Sequence, residues 1–381
     1  MRLFTLVTLL WAAPAFAQTP AAGKPDRDYL VFVAAEAADR IALIRFGPGG
    51  ARVERELSVG LLPTDPDGPH GLAVSPDARA LYITTAHGQP FGHLWKYDAE
   101  TGRVLGRVEL GNFPATLQLT PDGGFAYVVN FNLHGDMVPS SVSVVATEQM
   151  LEVARIPTCT MPHGSRINPQ GTMQYSACMM DDMLVEIDTR TLAVSRRFML
   201  TKGQEHGEAG PFATAPQPSA PHAGHGAGAS RTVTCSPTWA QPSADGSRVY
   251  VACNKANEIL EIDAGSWTLT RRFPAGEGVY NLAVTRDGKL LLATNKRGQS
   301  VWIFDLAGGR DVARIATQRK VVHGLAISPD DRYAFVSVEG IGSQPGTVEI
   351  IDLAARARVA SVDVGQMAGG IDFWKVQDAA R

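Results

Sequence analysis

The chain has 381 residues, of which 45% are hydrophobic and 19% charged, with 38 glycines, 24 prolines and a formal net charge of −3. That balance excludes a wholly disordered chain, and the glycine and proline content favours a fold rich in turns. The weak net charge gives no field for holding a polyanion, which argues against a dedicated nucleic-acid binder.

In chain order, the first element reads as an address. Arg2 precedes an apolar run over 3–11, and small residues at Ala15 and Ala17 mark a cleavage site. This is the pattern of a secretory signal peptide over 1–17, with Gln18 rather than a lipid-bearing Cys after the cut. The run is too short for a membrane span, and no later stretch approaches the roughly 18 apolar residues that a span needs. The expected mature protein is therefore periplasmic or secreted, where disulfides persist. Residues 18–28 read as a flexible leader.

From residue 29 a repeat organises the chain. Its turns are Ser75-Pro76-Asp77-Ala78, Thr120-Pro121-Asp122-Gly123, Asn168-Pro169-Gln170-Gly171, Ser243-Ala244-Asp245-Gly246, Thr285-Arg286-Asp287-Gly288 and Ser328-Pro329-Asp330-Asp331. Their third residues are spaced by 45, 48, 75, 42 and 43 positions. The long interval holds an insert over 201–234, and removing its 34 residues restores the period at 41. Each turn separates apolar strands, and the next strand ends in Asp, as at Asp98, Asp188, Asp263, Asp305 and Asp352. Four short antiparallel strands per period of about 42 residues is the pattern of a β-propeller blade. Six repeats fill 69–365, and the ends supply a seventh. Residues 369–373 form an innermost strand without partners, while 29–33, 41–46 and 53–59 are three partners without an innermost strand. The expected fold is all-β: a seven-bladed propeller over 29–375, closed by pairing the two chain ends, with a short tail over 376–381.

The strands Tyr127-Val128-Val129-Asn130 and Tyr250-Val251-Ala252-Cys253-Asn254, the Ser-Pro-Asp turns and the Val-Glu-Ile-Asp ending at Asp188 resemble YVTN-type repeat propellers. The resemblance spans 29–375 and implies the fold. Its implied activities range over lactonases, haem- or copper-associated propellers of denitrification enzymes and surface-layer proteins, so it names no reaction. The chain has no Cys-x-x-Cys-His for covalent c-type haem, no Walker loop and no nucleophile elbow in a suitable context. Asp77, Asp122, Asp245, Asp287 and Asp330 are read as turn residues.

Strand alternation places all nine histidines and all four cysteines towards one face, termed the top. The position of His70 is filled around the ring by His70, Ala115, His163, Thr238, Tyr280, His323 and Gly369. His70, His163 and His323 are thus candidate ligands for a transition metal, copper or zinc, at the top of the channel. The alternative is a repeat-level residue whose ring bonds a neighbouring carbonyl. Arg166, Trp239, Tyr280 and Asn281 are candidate substrate-binding residues at the channel mouth. The pairs Cys159–Cys178 and Cys235–Cys253 are expected to form disulfides within their blades; the alternative gathers the thiols with Met161, His163, Met179, Met180 and Met183 as a soft copper site. The insert is expected to be a mobile flap over the top face, carrying His206, His222 and His225. Three functions follow: an exported binder of a metal or small molecule, a lactonase-like hydrolase or lyase with a histidine acid/base, and a scaffold whose top face takes a protein partner.

Overall fold

The computed structural model describes residues 24–60, 66–87, 91–210 and 233–379. Twenty-nine strands form seven antiparallel sheets arranged as the blades of a propeller. The innermost strands are Pro69–Val74, Pro114–Leu119, Pro162–Ile167, Pro237–Pro242, Val279–Val284, Val321–Ile327 and Ala368–Asp378, and their blades are numbered one to seven in that order. In each of the first six blades the remaining strands follow in sequence outwards.

Blade seven closes the ring. Its sheet takes the last strand, Ala368–Asp378, and the first three, Arg27–Ala35, Arg40–Gly47 and Gly50–Ser58. The register runs from Arg27 opposite Asp378 to Ala35 opposite Ala368. Paired strands therefore reach past the expected 29–375 limits at both ends. The closure pairs the last strand with the first and leaves no blade without a neighbour, so the only inner edges face the narrow channel, away from other chains. Tyr29 seals it: the ring packs edge-on to Tyr333 at 5.0 Å, and the hydroxyl donates to Asp330 at 2.8 Å.

Sequence alternation explains the layers. The middle strands of each blade are apolar on both faces, because both are covered by neighbouring blades, and the core divides into inter-blade clusters. The outer strands, such as Val104–Glu109, alternate exposed and half-buried residues. The recurring turns earn their Asp: Ser75, Thr120, Ser243, Thr285 and Ser328 each donate to the Asp two residues on. Each such local network fixes the turn between the first and second strands.

Both cysteine pairs are disulfides, Cys159–Cys178 and Cys235–Cys253. No thiol remains free among the described residues, so the soft-ligand alternative is overturned. One assignment also changes. Cys159 lies in Leu151–Thr160, the outer strand of blade two, and Cys178 in the second strand of blade three. That bond ties two blades together rather than bridging within one. The start of the insert departs from expectation as well: His206–Ala209 pairs with Ala193–Met199 as a fifth strand on the outer edge of blade three. Asp182 pins the other end, accepting from the backbone of Thr234, Cys235 and Ser236. His222 and His225, most of the insert, and the expected signal peptide at 1–17 lie outside the described residues.

Candidate functional site

The channel is built by one local irregularity repeated in every blade. Each innermost strand carries a register shift just inside its top end, between Pro69 and Leu72, Pro114 and Leu117, Pro162 and Ser165, Pro237 and Trp239, Val279 and Leu282, and Val322 and Leu325. Blade seven has the same break opposite Val33–Ala35. A bulge re-aims the side chain it contains, and the residue it holds is the one at the position of His70. The glycine that follows each histidine is there for its neighbour. A Cβ on Gly71 would strike the Ala115 carbonyl, one on Gly164 the Thr238 carbonyl, and one on Gly324 the Gly369 carbonyl. Hydroxyls bind two of these crowded carbonyls across the blade boundaries, Thr84 to Ala115 at 2.8 Å and Ser337 to Gly369 at 2.5 Å.

His70, His163 and His323 meet at the top of the channel. The His70 ring lies 5.7 Å from that of His323 and 6.3 Å from that of His163, centroid to centroid. All three are buried, at 8%, 2% and 7% exposure, so the rings plug the channel rather than line an open mouth. His163 partly obeys the bland alternative: its Nδ1 donates to the Thr238 carbonyl at 3.0 Å, leaving Nε2 to accept from the Tyr280 hydroxyl at 2.9 Å. His70 differs. Its Nδ1 lies 2.9 Å from the Glu36 carboxylate, which can only accept, so this nitrogen carries a proton, and in the neutral ring the lone pair falls on Nε2.

A second ring of residues sits at the top of the second strands, one position past the partner of the residue that precedes the His70 position. Reading the registers round the blades, it comprises Ala86, Phe131, Met179, Asn254, Lys296, Glu339 and Glu36. Sequence reasoning missed Glu36, Lys296 and Glu339 there. The repeat carried the signal, since the residue just after each Tyr-Val-x-x strand is the one to align. Glu36 bonds His70 on one oxygen and His87 on the other, at 2.6 Å, and His87 reaches His134 at 3.1 Å. Lys296 lies 3.3 Å from Glu339 and over the Tyr280 ring at 4.5 Å. His323 Nε2 is 3.9 Å from Glu339.

Burial and these neighbours set the protonation states. Burial pushes the Glu36 carboxyl up, but the His70 charge and the bonds from His70 and His87 hold it well below the usual carboxylate range. The bond to Glu36 raises His87 against its own desolvation. Burial drives His163 down to about 3, aided by the His70 charge. His323 is also held well below its ordinary value, first by burial and then by Lys296. Two of the three rings are thus neutral at pH 7.

Beneath the rings is a cavity of about 30 Å³ lined by His70, His323, Trp239, Asn281 and Arg166, among others. That is space for one water or ion. His70 Nε2 and His323 Nδ1 are both buried without a hydrogen-bond partner among the described residues. No set of three or more His, Cys, Asp or Glu side chains among the described residues is drawn together as a preformed metal shell.

The other candidate residues divide between two depths. Tyr280 is locked to His163 at the top, and Asn281 lies just below. Trp239 is buried in the channel wall with the Arg166 guanidinium stacked 4.4 Å from its ring centroid. Arg166 is not at the top mouth. It stands five residues into Pro162–Ile167 and lines a second cavity of about 590 Å³ at the opposite end, among the Ser-Pro-Asp turns. A six-residue strand crosses most of the channel, which counting from strand starts overlooked.

The class is therefore a seven-bladed β-propeller whose channel is closed at one end by histidines and open at the other. Two solved structures share the fold. A crystal structure of a functionally unknown protein from Desulfotomaculum acetoxidans DSM 771 matches with TM-score 0.66 and 15% identity, covering 91% of this chain and 98% of that one. A chain of Kuenenia stuttgartiensis hydrazine synthase matches with TM-score 0.60 and 22% identity, covering 79% of this chain and 88% of that one. At such identities the likeness concerns architecture alone. No protein-family model and no curated protein matches the sequence. No helix among the described residues is long and apolar enough to cross a membrane.

Proposed function

We propose that this is an exported ligand-binding propeller that holds a transition-metal ion, copper or zinc, at the top of its channel through His70, His323 and His163. The observation that carries this reading is the pair of unpartnered ring nitrogens, His70 Nε2 and His323 Nδ1, on two buried rings beside a cavity of single-ion size. Leaving buried polar atoms unpaired costs about 1–3 kcal/mol each, and one metal ion would satisfy both. Glu36 supports the role. A carboxylate on the far nitrogen of a ligating histidine fixes its tautomer and raises its basicity. His163 and His323 are already in the neutral form that ligates. His163 would join by releasing the Tyr280 hydroxyl from Nε2. An all-imidazole set suits copper(II) or zinc, and the disulfides rule out thiolate help.

The test is titration calorimetry of the purified protein with Zn²⁺ and Cu²⁺. The expected result is one site per chain, abolished in both His70→Ala and His323→Ala and weakened about 10–100-fold in Glu36→Gln. Native-strength binding in His70→Ala or His323→Ala, or none by the intact protein, overturns it.

A further inference from the structure

The cavity of about 590 Å³ lies at the end of the channel away from the histidines, where the innermost strands of several blades finish. Its collar is mixed: aliphatic side chains such as Leu119, Ile167 and Ile327 stand at equivalent strand ends, and the hydroxyl and amide residues and the prolines of the turns lie outside them. Four titratable side chains line it: Arg166 at the bottom, Arg286 and Asp331 at the rim, and Asp372. Their hydrogen-bonding capacities are unequal. Asp372 accepts from the Val74 and Phe373 amides, at 2.8 and 2.9 Å. Asp331 accepts from the Arg286 and Asp287 amides, also at 2.8 and 2.9 Å. Both carboxylates are thus occupied by backbone. Gln118 accepts from the Ile167 amide at 2.7 Å.

The arginines are not so occupied. The Arg166 guanidinium donates once, to the Ser165 carbonyl at 2.9 Å, and otherwise rests its face on Trp239. The Arg286 side chain forms no hydrogen bond or ion pair with any described residue. Arginine carries five N–H donors in a planar fork; Arg166 spends one on Ser165 and has Asp372 as an electrostatic neighbour rather than a hydrogen-bonded partner, so the cavity keeps donors to spare. Stacking on Trp239 fixes the fork, which lowers the entropy lost on binding. Aliphatic side chains beside a few convergent polar groups are the ordinary makeup of a small-molecule site.

We infer that this cavity binds a small organic carboxylate, its head on the Arg166 fork and its hydrocarbon body against the aliphatic side chains of the collar, with Arg286 closing over the open side. Arg166 lines both this cavity and the small one beneath the histidines, so the two readings are kept apart by excluding metal and by varying His70 and Arg286, each of which lines only one of them.

The experiment is calorimetric titration of the intact protein, in EDTA, with hexanoate, benzoate and inorganic phosphate. Hexanoate or benzoate is expected to bind one-to-one with a dissociation constant below about 1 mM. Arg166→Met should weaken it at least about tenfold and Arg286→Gln about two- to fivefold, while His70→Ala leaves it unchanged. Should Arg166→Met fail to fold, Arg286→Gln, whose side chain supports nothing else, decides alone. No saturable binding of either acid, or unchanged affinity in the arginine variants, overturns the proposal. Phosphate binding as tight as the better carboxylate overturns it too, because the collar would then play no part.

Discussion

His163 shows how burial sets a residue's chemistry. An unfolded histidine takes up a proton near pH 6.5, whereas folded His163 resists until about 3. Between those values the unfolded chain binds more protons, so stability is fully present above the upper limit and falls as pH falls. The melting temperature should therefore drop between pH 6.5 and 4. His163→Gln, which can still face Thr238 and Tyr280, should melt with a shallower pH slope. An unaltered slope would mean that other groups govern the acid transition.

Among elements, the repeated strand made much of the protein legible before any coordinates. Counting back from the Ser-Pro-Asp turns located the channel position of His70, His163 and His323, because a hydrogen-bonded turn fixes the register of the strands it joins. The same count fell short where the repeat is silent. Glu36 sits in a short 3-10 turn between the first two strands of blade seven, and only the closed ring brings it beneath His87 and beside His70. Arg166 lines the small cavity beneath the histidines and also the larger one among the turns, a double reach that the repeat count does not reveal. Cys159 was given to the wrong blade because the outer strand of blade two runs on to Thr160, almost to the start of the next. That bond offers a test at this scale. It closes a loop over a sequence separation of 19, and replacing both cysteines by alanine should cost about 3 kcal/mol of stability in denaturant unfolding. The accompanying change should be easier proteolysis between blades two and three, whereas loss of Cys235–Cys253 should loosen the insert.

The whole molecule depends on blade seven, the one sheet assembled from both chain ends. Val31 is fully buried there and pairs with Phe373 on one side and Ile44 on the other. Proline at this position removes a ladder donor from the middle of a sheet. Val31→Pro should lower stability by at least about 3 kcal/mol, read by urea unfolding. It should also expose the 368–378 strand to protease. A variant as resistant as the parent would show that the ring stands without its seam.

That seam also dictates when the molecule can be finished. Its innermost strand comprises eleven residues, Ala368–Asp378, and they follow the other six blades in the chain. Until those residues emerge from the ribosome, the chain has six blades and two raw flanks with nothing between them. Such a chain is an open fan with adhesive margins, and its protection from self-association must come from whatever escorts it until its final segment is free.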